Sequence, residues 1–356
     1  MFRKILSVVT LLLVCLVVWD ARTEIFAAIN YLSQTNLAVI ALLVPEQLFM
    51  YFCAGQMFFS YMAVKPEFKK MSILDLMSIS FELNFVNHAV PSGGVSGLGY
   101  IAWRLHQFGA SVGQVSFMYL LRYAITICAN QAQTIVAIIF LVIAGGLSTG
   151  AVWLIWLTCL MSLGIITVIV FAMVIASNRQ RVDRFSIFAT KLLNSIAKKI
   201  TFGRKQQLVS HKTVHKFMMD LHNDLIIARN NKKILTKPII WGIVYSFLEV
   251  ATYWVVGISM GHPEILPQIM VAEAIGSVIG AVLVTPGGVG GYEGAMIFVM
   301  STLGVPVGLA SAVVITTRVV VLVGTITSGY GLYQRAISKI GKKDRANLTQ
   351  KPHAKS

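Results

Sequence analysis

Apolar runs about as long as a bilayer is thick leave this chain few folds to choose from. Six of them, at about 5–19, 37–63, 112–143, 151–176, 238–259 and 306–333, carry almost no charge. A helix needs roughly 20 apolar residues to cross about 30 Å of hydrocarbon. Only helices and closed barrels satisfy their backbone polar groups in lipid, and no run alternates in the two-residue rhythm of a barrel strand. The fold class that follows is an all-α polytopic membrane protein. Charged residues make up 12% of the chain, against about 25% in soluble domains, so soluble enzyme folds recede. The first run, MFRKILSVVTLLLVCLVVWD, has the basic start of a signal peptide but no small-x-small cleavage site after Trp19, and reads as a retained first helix. Cys15, Cys53, Cys128 and Cys159 all fall within apolar spans and read as buried packing residues.

The net charge of +16 is placed unevenly. Segment 177–237 holds 14 Lys/Arg against three acids, and 334–356 holds seven against one. Arg3 and Lys4 precede the first span, and Lys65, Lys69 and Lys70 follow the second. The connections at 20–36, 144–150 and 260–267 together hold one Arg and three acids. By the positive-inside rule both termini and 177–237 face the cytoplasm of an inner-membrane, multi-pass protein. The positive charge therefore follows the membrane side and does not call for a nucleic-acid partner.

Two regions, 73–108 and 268–303, fit no simple span. Each has an apolar arm of about 18 residues, a Pro/Gly break and a short arm of 10–12 residues. At 1.5 Å per residue the short arm reaches under about 20 Å, so a re-entrant or broken hairpin is expected in each. Irregular backbone at that depth survives only when buried in protein or lining a wet cavity. The two regions also resemble each other. PSGGVSG at 91–97 aligns with PGGVGG at 286–291, and GASVGQ at 109–114 with GVPVGL at 304–309. Pro91/Pro286 and Gly109/Gly304 are each 195 apart, and Arg122/Arg318 are 196 apart. The first hairpin would enter from the cytoplasm and the second from outside. That is an inverted repeat, as in many secondary transporters. The expected organisation is a membrane half at 1–176, basic amphipathic cytoplasmic helices at 177–237, a second membrane half at 238–335 and a disordered cytoplasmic tail at 336–356. Within 177–237, Phe185, Phe188, Leu192, Ile196 and Ile200 recur at helical spacing, as do Val214, Phe217, Leu221 and Leu225. Two amphipathic helices on the inner membrane surface are one reading, and an ordinary cytoplasmic helical pair is the other.

Ionisable groups in hydrocarbon are expensive and mark functional candidates. Glu46, Glu82, His88, Arg104, Arg122, Glu249, Glu273, Glu293 and Arg318 are the ones here. Glu293 starts a short arm, where unsatisfied helix amides can take a carboxylate or a phosphate. Arg122 and Arg318 lie in mid-span, where each either holds an anionic ligand or pairs with Glu82 or Glu293. Arg104 is near enough to the edge to snorkel. His88 reads as a satisfied core residue or a proton relay, and Glu46 and Glu249 as polar packing contacts. VTPGGVGGYEGAM at 284–296 lacks the Gly-Lys-Ser/Thr ending of a phosphate loop and fails the dinucleotide fingerprint. No His/Cys metal spacing and no Gly-x-Ser-x-Gly elbow occurs. No enzyme activity, cofactor or metal is expected.

PSGGVSGLGYIAWRL and TPGGVGGYEGAMIFVMSTLGVPVGLASAVVITTRVV together resemble the transmembrane region of bacterial lysylphosphatidylglycerol synthases and their stand-alone flippase-like relatives. Pro286, Gly287, Gly288, Gly290, Glu293, Leu303, Gly304 and Arg318 match that family's pattern in order, and Pro91, Gly94, Arg104 and Arg122 form a weaker counterpart. In the first half Val95 and Ser96 stand where the family pattern favours an acidic or polar residue. The resemblance implies a flippase that moves an anionic phospholipid or a polyprenyl-phosphate-linked lipid between leaflets, without the synthases' aminoacyl-transferase domain. The expected binding residues are Arg122, Arg318, Glu293, Pro286, Gly287, Gly288, Gly290, Gly291, Pro91, Gly93, Gly94, Arg104, Glu82, Asn87, His88 and Glu273. Membrane lipids are the expected partners; self-association and a glycosyltransferase or lipid-modifying enzyme remain open. Two rival classes stay open too. One is an ion-coupled small-solute transporter with His88, Glu273 and Glu293 as proton carriers. The other is a non-transporting accessory subunit of a glycolipid or glycosyltransferase pathway.

Overall fold

The computed structural model describes residues 19, 22–33, 35–63, 71–90, 95–143, 152–200, 210–282 and 291–349. Every regular element among them is helical: α1 (Arg22–Leu32), α2 (Leu37–Ile40), α3 (Leu43–Met62), α4 (Ile73–Ala89), α5 (Val95–His106), α6 (Val112–Ile143), α7 (Val152–Ala176), α8 (Arg179–Ile200), α9 (His211–Asn230), α10 (Lys233–Ser259), α11 (Leu266–Val282), α12 (Gly291–Thr302) and α13 (Val307–Thr349). The protein is an all-α polytopic membrane protein. Five described helical stretches are long and apolar enough to cross a bilayer: Leu37–Met62, Val112–Ile143, Val152–Ala176, Lys233–Ser259 and Val307–Ser338. They correspond to five of the six runs expected from sequence; the sixth, at 5–19, lies outside the described residues. Their outward side chains, such as Phe140, Leu160, Phe171 and Phe247, are exposed large apolar groups suited to lipid.

Each broken region has the expected two arms. In both, a helix of 17 residues (α4, α11) precedes one of 12 residues (α5, α12). Twelve residues make about 18 Å of helix, short of the roughly 30 Å hydrocarbon. The breaks themselves, with Pro91, Gly93, Gly94, Pro286, Gly287, Gly288 and Gly290, lie outside the described residues. After each short arm the chain turns in the same way. Gly109 and Gly304 have φ of +88° and +91°. The amide of Ala110 donates to the Leu105 carbonyl, and that of Val305 to the Met300 carbonyl, five residues back in both cases. Gly109 and Gly304 donate to His106 and Ser301. This pair of bonds around a left-handed residue is the Schellman stop, for which glycine is the natural choice. Leu105, Ala110, Met300 and Val305 are buried beneath the two turns.

Local chemistry accounts for other helix ends. Ser72 and Asp75 form a reciprocal capping box at the start of α4, with the Asp75 amide donating to Ser72 Oγ at 3.1 Å. Ser210 caps α9 by accepting from the Thr213 amide at 3.2 Å.

The chain divides into two compact units. One comprises the described parts of Met1–Phe52, Ser72–Tyr100 and Leu248–Ser356, and the other those of Cys53–Met71 and Ile101–Phe247. Each unit draws on both halves of the sequence. In the first, α13 packs on α1, α4 and α12, and α11 packs on α12. A Cβ added at Gly329 would lie 2.5 Å from Phe85 Cβ, and one at Gly276 would lie 2.9 Å from Met296 Cγ. Glycine thus lets α13 approach α4, and lets the two arms of the second hairpin close on each other.

In the second unit, α9 packs on α6, α7 and α8. A Cβ at Gly113 would stand 2.3 Å from Asp220 Cβ. Ser111 Oγ donates to Asp220 Oδ2 at 2.8 Å, and Tyr61 Oη donates to Asp224 Oδ1 at 3.1 Å. A polar seam joins α6, α7 and α10. Ser246 is hydrogen-bonded to both Asn130 and Gln133, and Ser162 donates to Gln131 at 2.6 Å.

Two expectations need correction. Of the cysteines read as buried packing residues, Cys53 is buried but Cys128 and Cys159 are exposed; their outward helix faces suit a thiol to lipid as well as to a core. Residues 336–349, expected within a disordered tail, are helical because α13 runs to Thr349. Ala336 and Ile337 are buried at the end of the apolar span, and the Lys, Arg, Ala and Leu that follow are good helix formers. Residues 350–356 lie outside the described part.

Candidate functional site

The first unit holds a group of ionisable side chains that the membrane would reject singly. Glu293, in the first turn of α12, is buried, and its Oε1 lies 2.8 Å from Nε of Arg318 on α13. The Gly304 turn brings the two helices together. The Arg318 side chain is 13% exposed and that of Glu293 5%, so the pair is largely shielded from solvent. Burial makes it strong against single loss: removing one partner of a buried pair costs about 3–5 kcal/mol, because the other charge is left uncompensated.

Other polar groups gather round this pair. Arg318 is within electrostatic range of His88 on α4 and of Tyr253 on α10. Tyr253 also senses Glu293 and Glu273, and its ring centroid is 6.4 Å from that of Tyr292. Glu273 on α11 and Glu249 on α10 interact as a carboxyl pair. Five elements, α4, α10, α11, α12 and α13, therefore converge on one locus through residues up to 230 positions apart (His88 to Arg318). Of the expected site residues, the structure brings Glu293, Arg318, Glu273 and His88 together. His88 also bonds the Asn84 carbonyl through Nδ1 at 2.9 Å.

A second network lies along α4. Glu82 is buried and accepts from Ser78 Oγ at 2.7 Å and from Tyr100 Oη at 2.8 Å, which ties the two arms of the first hairpin together. Asn84 Nδ2 donates to Tyr51 Oη at 2.6 Å, and Tyr51 Oη and Thr325 Oγ1 are 3.0 Å apart. Asn87 Oδ1 is buried and has no hydrogen-bond partner among the described residues. Glu46 is linked to Gln47 and Thr252 at 3.0 and 3.1 Å, a contact between α3 and α10.

Arg122 belongs to the other unit. Its guanidinium lies 5.4 Å from the Phe58 ring centroid and 5.3 Å from that of Tyr245. Aromatic faces attract a cation and hold its side chain in place. Arg104, in the last turn of α5, is also in this unit and partly buried.

Sequence reasoning did not place Tyr253, Tyr292, Tyr51, Asn84, Thr325 or Tyr100 in the network. Their hydroxyls and amides are uncharged and so escape a search for ionisable groups. Glu249 and Tyr253, one helical turn apart on α10, offered the one local signal.

The family described as lysylphosphatidylglycerol synthase TM region matches residues 5–329, nearly the whole chain. The chain belongs to this family. No curated protein and no solved structure shows significant similarity to it. Within the lysylphosphatidylglycerol synthase transmembrane-region match lie both hairpins, both Schellman turns and the Glu293–Arg318 pair.

Proposed function

We propose that the protein moves an anionic phospholipid or a polyprenyl-phosphate-linked lipid between the leaflets of the cytoplasmic membrane. The observation that carries this reading is the buried Glu293–Arg318 pair, set in apolar helices beside a hairpin whose short arm is too short to span. A guanidinium fork with five donors suits a phosphate and a carboxylate together. The head group would approach Arg318 while its tails stay in lipid, and Glu293 would hold the arginine charged and oriented until the lipid arrives. Arg122, steadied between Phe58 and Tyr245, would offer a second cationic point. The equal arms of 17 and 12 residues and the matched glycine turns support a repeat. The charge distribution supports opposite insertion of its two copies, with both termini in the cytoplasm.

The interacting carboxyls Glu249 and Glu273 favour one second reading, an ion-coupled transporter of a small solute. A single assay separates the two. Purified protein is reconstituted into vesicles that carry a trace of head-group-intact, tail-labelled phosphatidylglycerol and an entrapped soluble dye. A membrane-impermeant reductant is then added outside. Lipid transport predicts loss of the inner-leaflet label with the dye retained. Retention of the inner-leaflet label at the level of protein-free vesicles contradicts it.

A further inference from the structure

The amphipathic pair α8 and α9 does not present two equivalent faces. α9 is held by protein: Asp224 and Val214 are buried, Tyr61 donates to Asp224, and Gly113 lets Asp220 sit against α6. α8 uses Val182 and Ser186, four residues apart and both fully buried, as its inner face. Another face carries Phe188 and Leu192, also four apart, 58% and 47% exposed. Arg181, Arg184 and Lys191 fall on the same side at helical spacing, and all three are exposed. The helix has six Lys/Arg and a single acid.

Its position is fixed at one end by the span before it. α7 ends at Ala176 and α8 begins at Arg179, with Asn178 Oδ1 accepting from the Gln180 amide at 2.9 Å to cap the new helix. Arg181 Nη1 reaches back to the Val174 carbonyl at 3.1 Å, and His222 of α9 donates to the Ala176 carbonyl. α8 therefore starts where a transmembrane helix leaves the hydrocarbon. An apolar stripe flanked by exposed cations at that level has the chemistry of an interfacial helix on an anionic leaflet.

We infer that the Phe188–Leu192 face of α8 lies in the head-group and upper acyl layer of the leaflet where α7 ends, and that Arg181, Arg184 and Lys191 bind its anionic phospholipids. α9 is the strut that holds α8 there. The inference concerns a surface apart from the Glu293–Arg318 locus and stands independently of the transport reading.

The test uses the full chain with its four native cysteines replaced by alanine. Spin labels are placed one at a time at Phe188→Cys, Leu192→Cys and, as a buried control, Val182→Cys. Accessibility to oxygen and to a water-soluble nickel chelate is measured in vesicles of phosphatidylcholine alone and with phosphatidylglycerol added. The expected result is a shift at 188 and 192 toward oxygen over the chelate, increasing with phosphatidylglycerol. Arg181→Gln, Arg184→Gln and Lys191→Gln together should remove that increase. Two results would overturn the inference: labels at 188 and 192 as open to the chelate as to oxygen in phosphatidylglycerol vesicles, which puts the face in water, or labels shielded from both as at 182, which puts protein over it. Because 188 and 192 are exposed in the folded chain, labelling there leaves the core intact, and size-exclusion behaviour checks it.

Discussion

Arg318 and Arg122 are both mid-span arginines, yet their surroundings differ. Arg318 is paired to a carboxylate, and Arg122 lies beside two aromatic rings. Lys in place of Arg318 keeps the charge but loses the planar fork. Arg318→Lys is therefore expected to fold and to retain only part of the lipid transport, a loss of tenfold or more if one charged hydrogen bond of about 1.5–3 kcal/mol goes. Wild-type transport by that variant would show that the fork is not used. For Arg122 the outcome separates two roles. As a head-group ligand, Arg122→Met abolishes transport by protein that melts near the wild-type temperature. If the variant melts early but transports normally per folded molecule, Arg122 is an aromatic-packing residue only. The sequence revealed that both arginines needed partners, because an unpaired charge in hydrocarbon is costly. Which partners they have depended on contacts between distant segments. Glu82 illustrates this: it accepts a hydrogen bond from Tyr100, an uncharged residue on the other hairpin arm.

At the scale of elements, the hairpins were legible because proline and glycine punctuate apolar runs and because the arms are too short to span. The turns at Gly109 and Gly304 were legible as a repeat but not as Schellman stops, since positive φ is a property of backbone geometry. Any L-residue there pays about 1–2 kcal/mol for the left-handed conformation. Gly109→Ala and Gly304→Ala are each expected to lower the melting temperature by similar amounts, because space at both positions is open and strain alone acts. A thermal size-exclusion assay measures this, and unchanged melting in either variant would contradict the assigned geometry. The polar seam of Asn130, Gln131, Gln133 and Ser246 went unread, because amides inside a 32-residue span look like tolerated substitutions until their partners on α7 and α10 are known. The reach of α13 to Thr349 was missed for a related reason. The charged composition after Lys339 suggested solvation, but the preceding helix supplies the nucleus that isolated charged segments lack.

At the scale of the whole molecule, composition and hydropathy sufficed for the membrane class, and charge placement gives an orientation that is open to test. In a cysteine-free background, Lys191→Cys should resist an impermeant thiol reagent applied to intact cells, while Glu264→Cys, 65% exposed, should react. The reverse pattern would invert the topology. Transport itself also belongs to this scale, since the Glu293–Arg318 pair matters only if it meets a lipid in the assembled protein. The most direct measurement is phosphatidylglycerol scrambling in vesicles by wild type, Arg318→Gln, Glu293→Gln and the double variant, with folding checked by size exclusion. Both charges leave together in the double variant, so the cost of a lone buried charge disappears. If Arg318 grips the head group, the double variant is folded and inactive. Recovery of scrambling in the double variant would contradict the account and leave the pair as a structural contact.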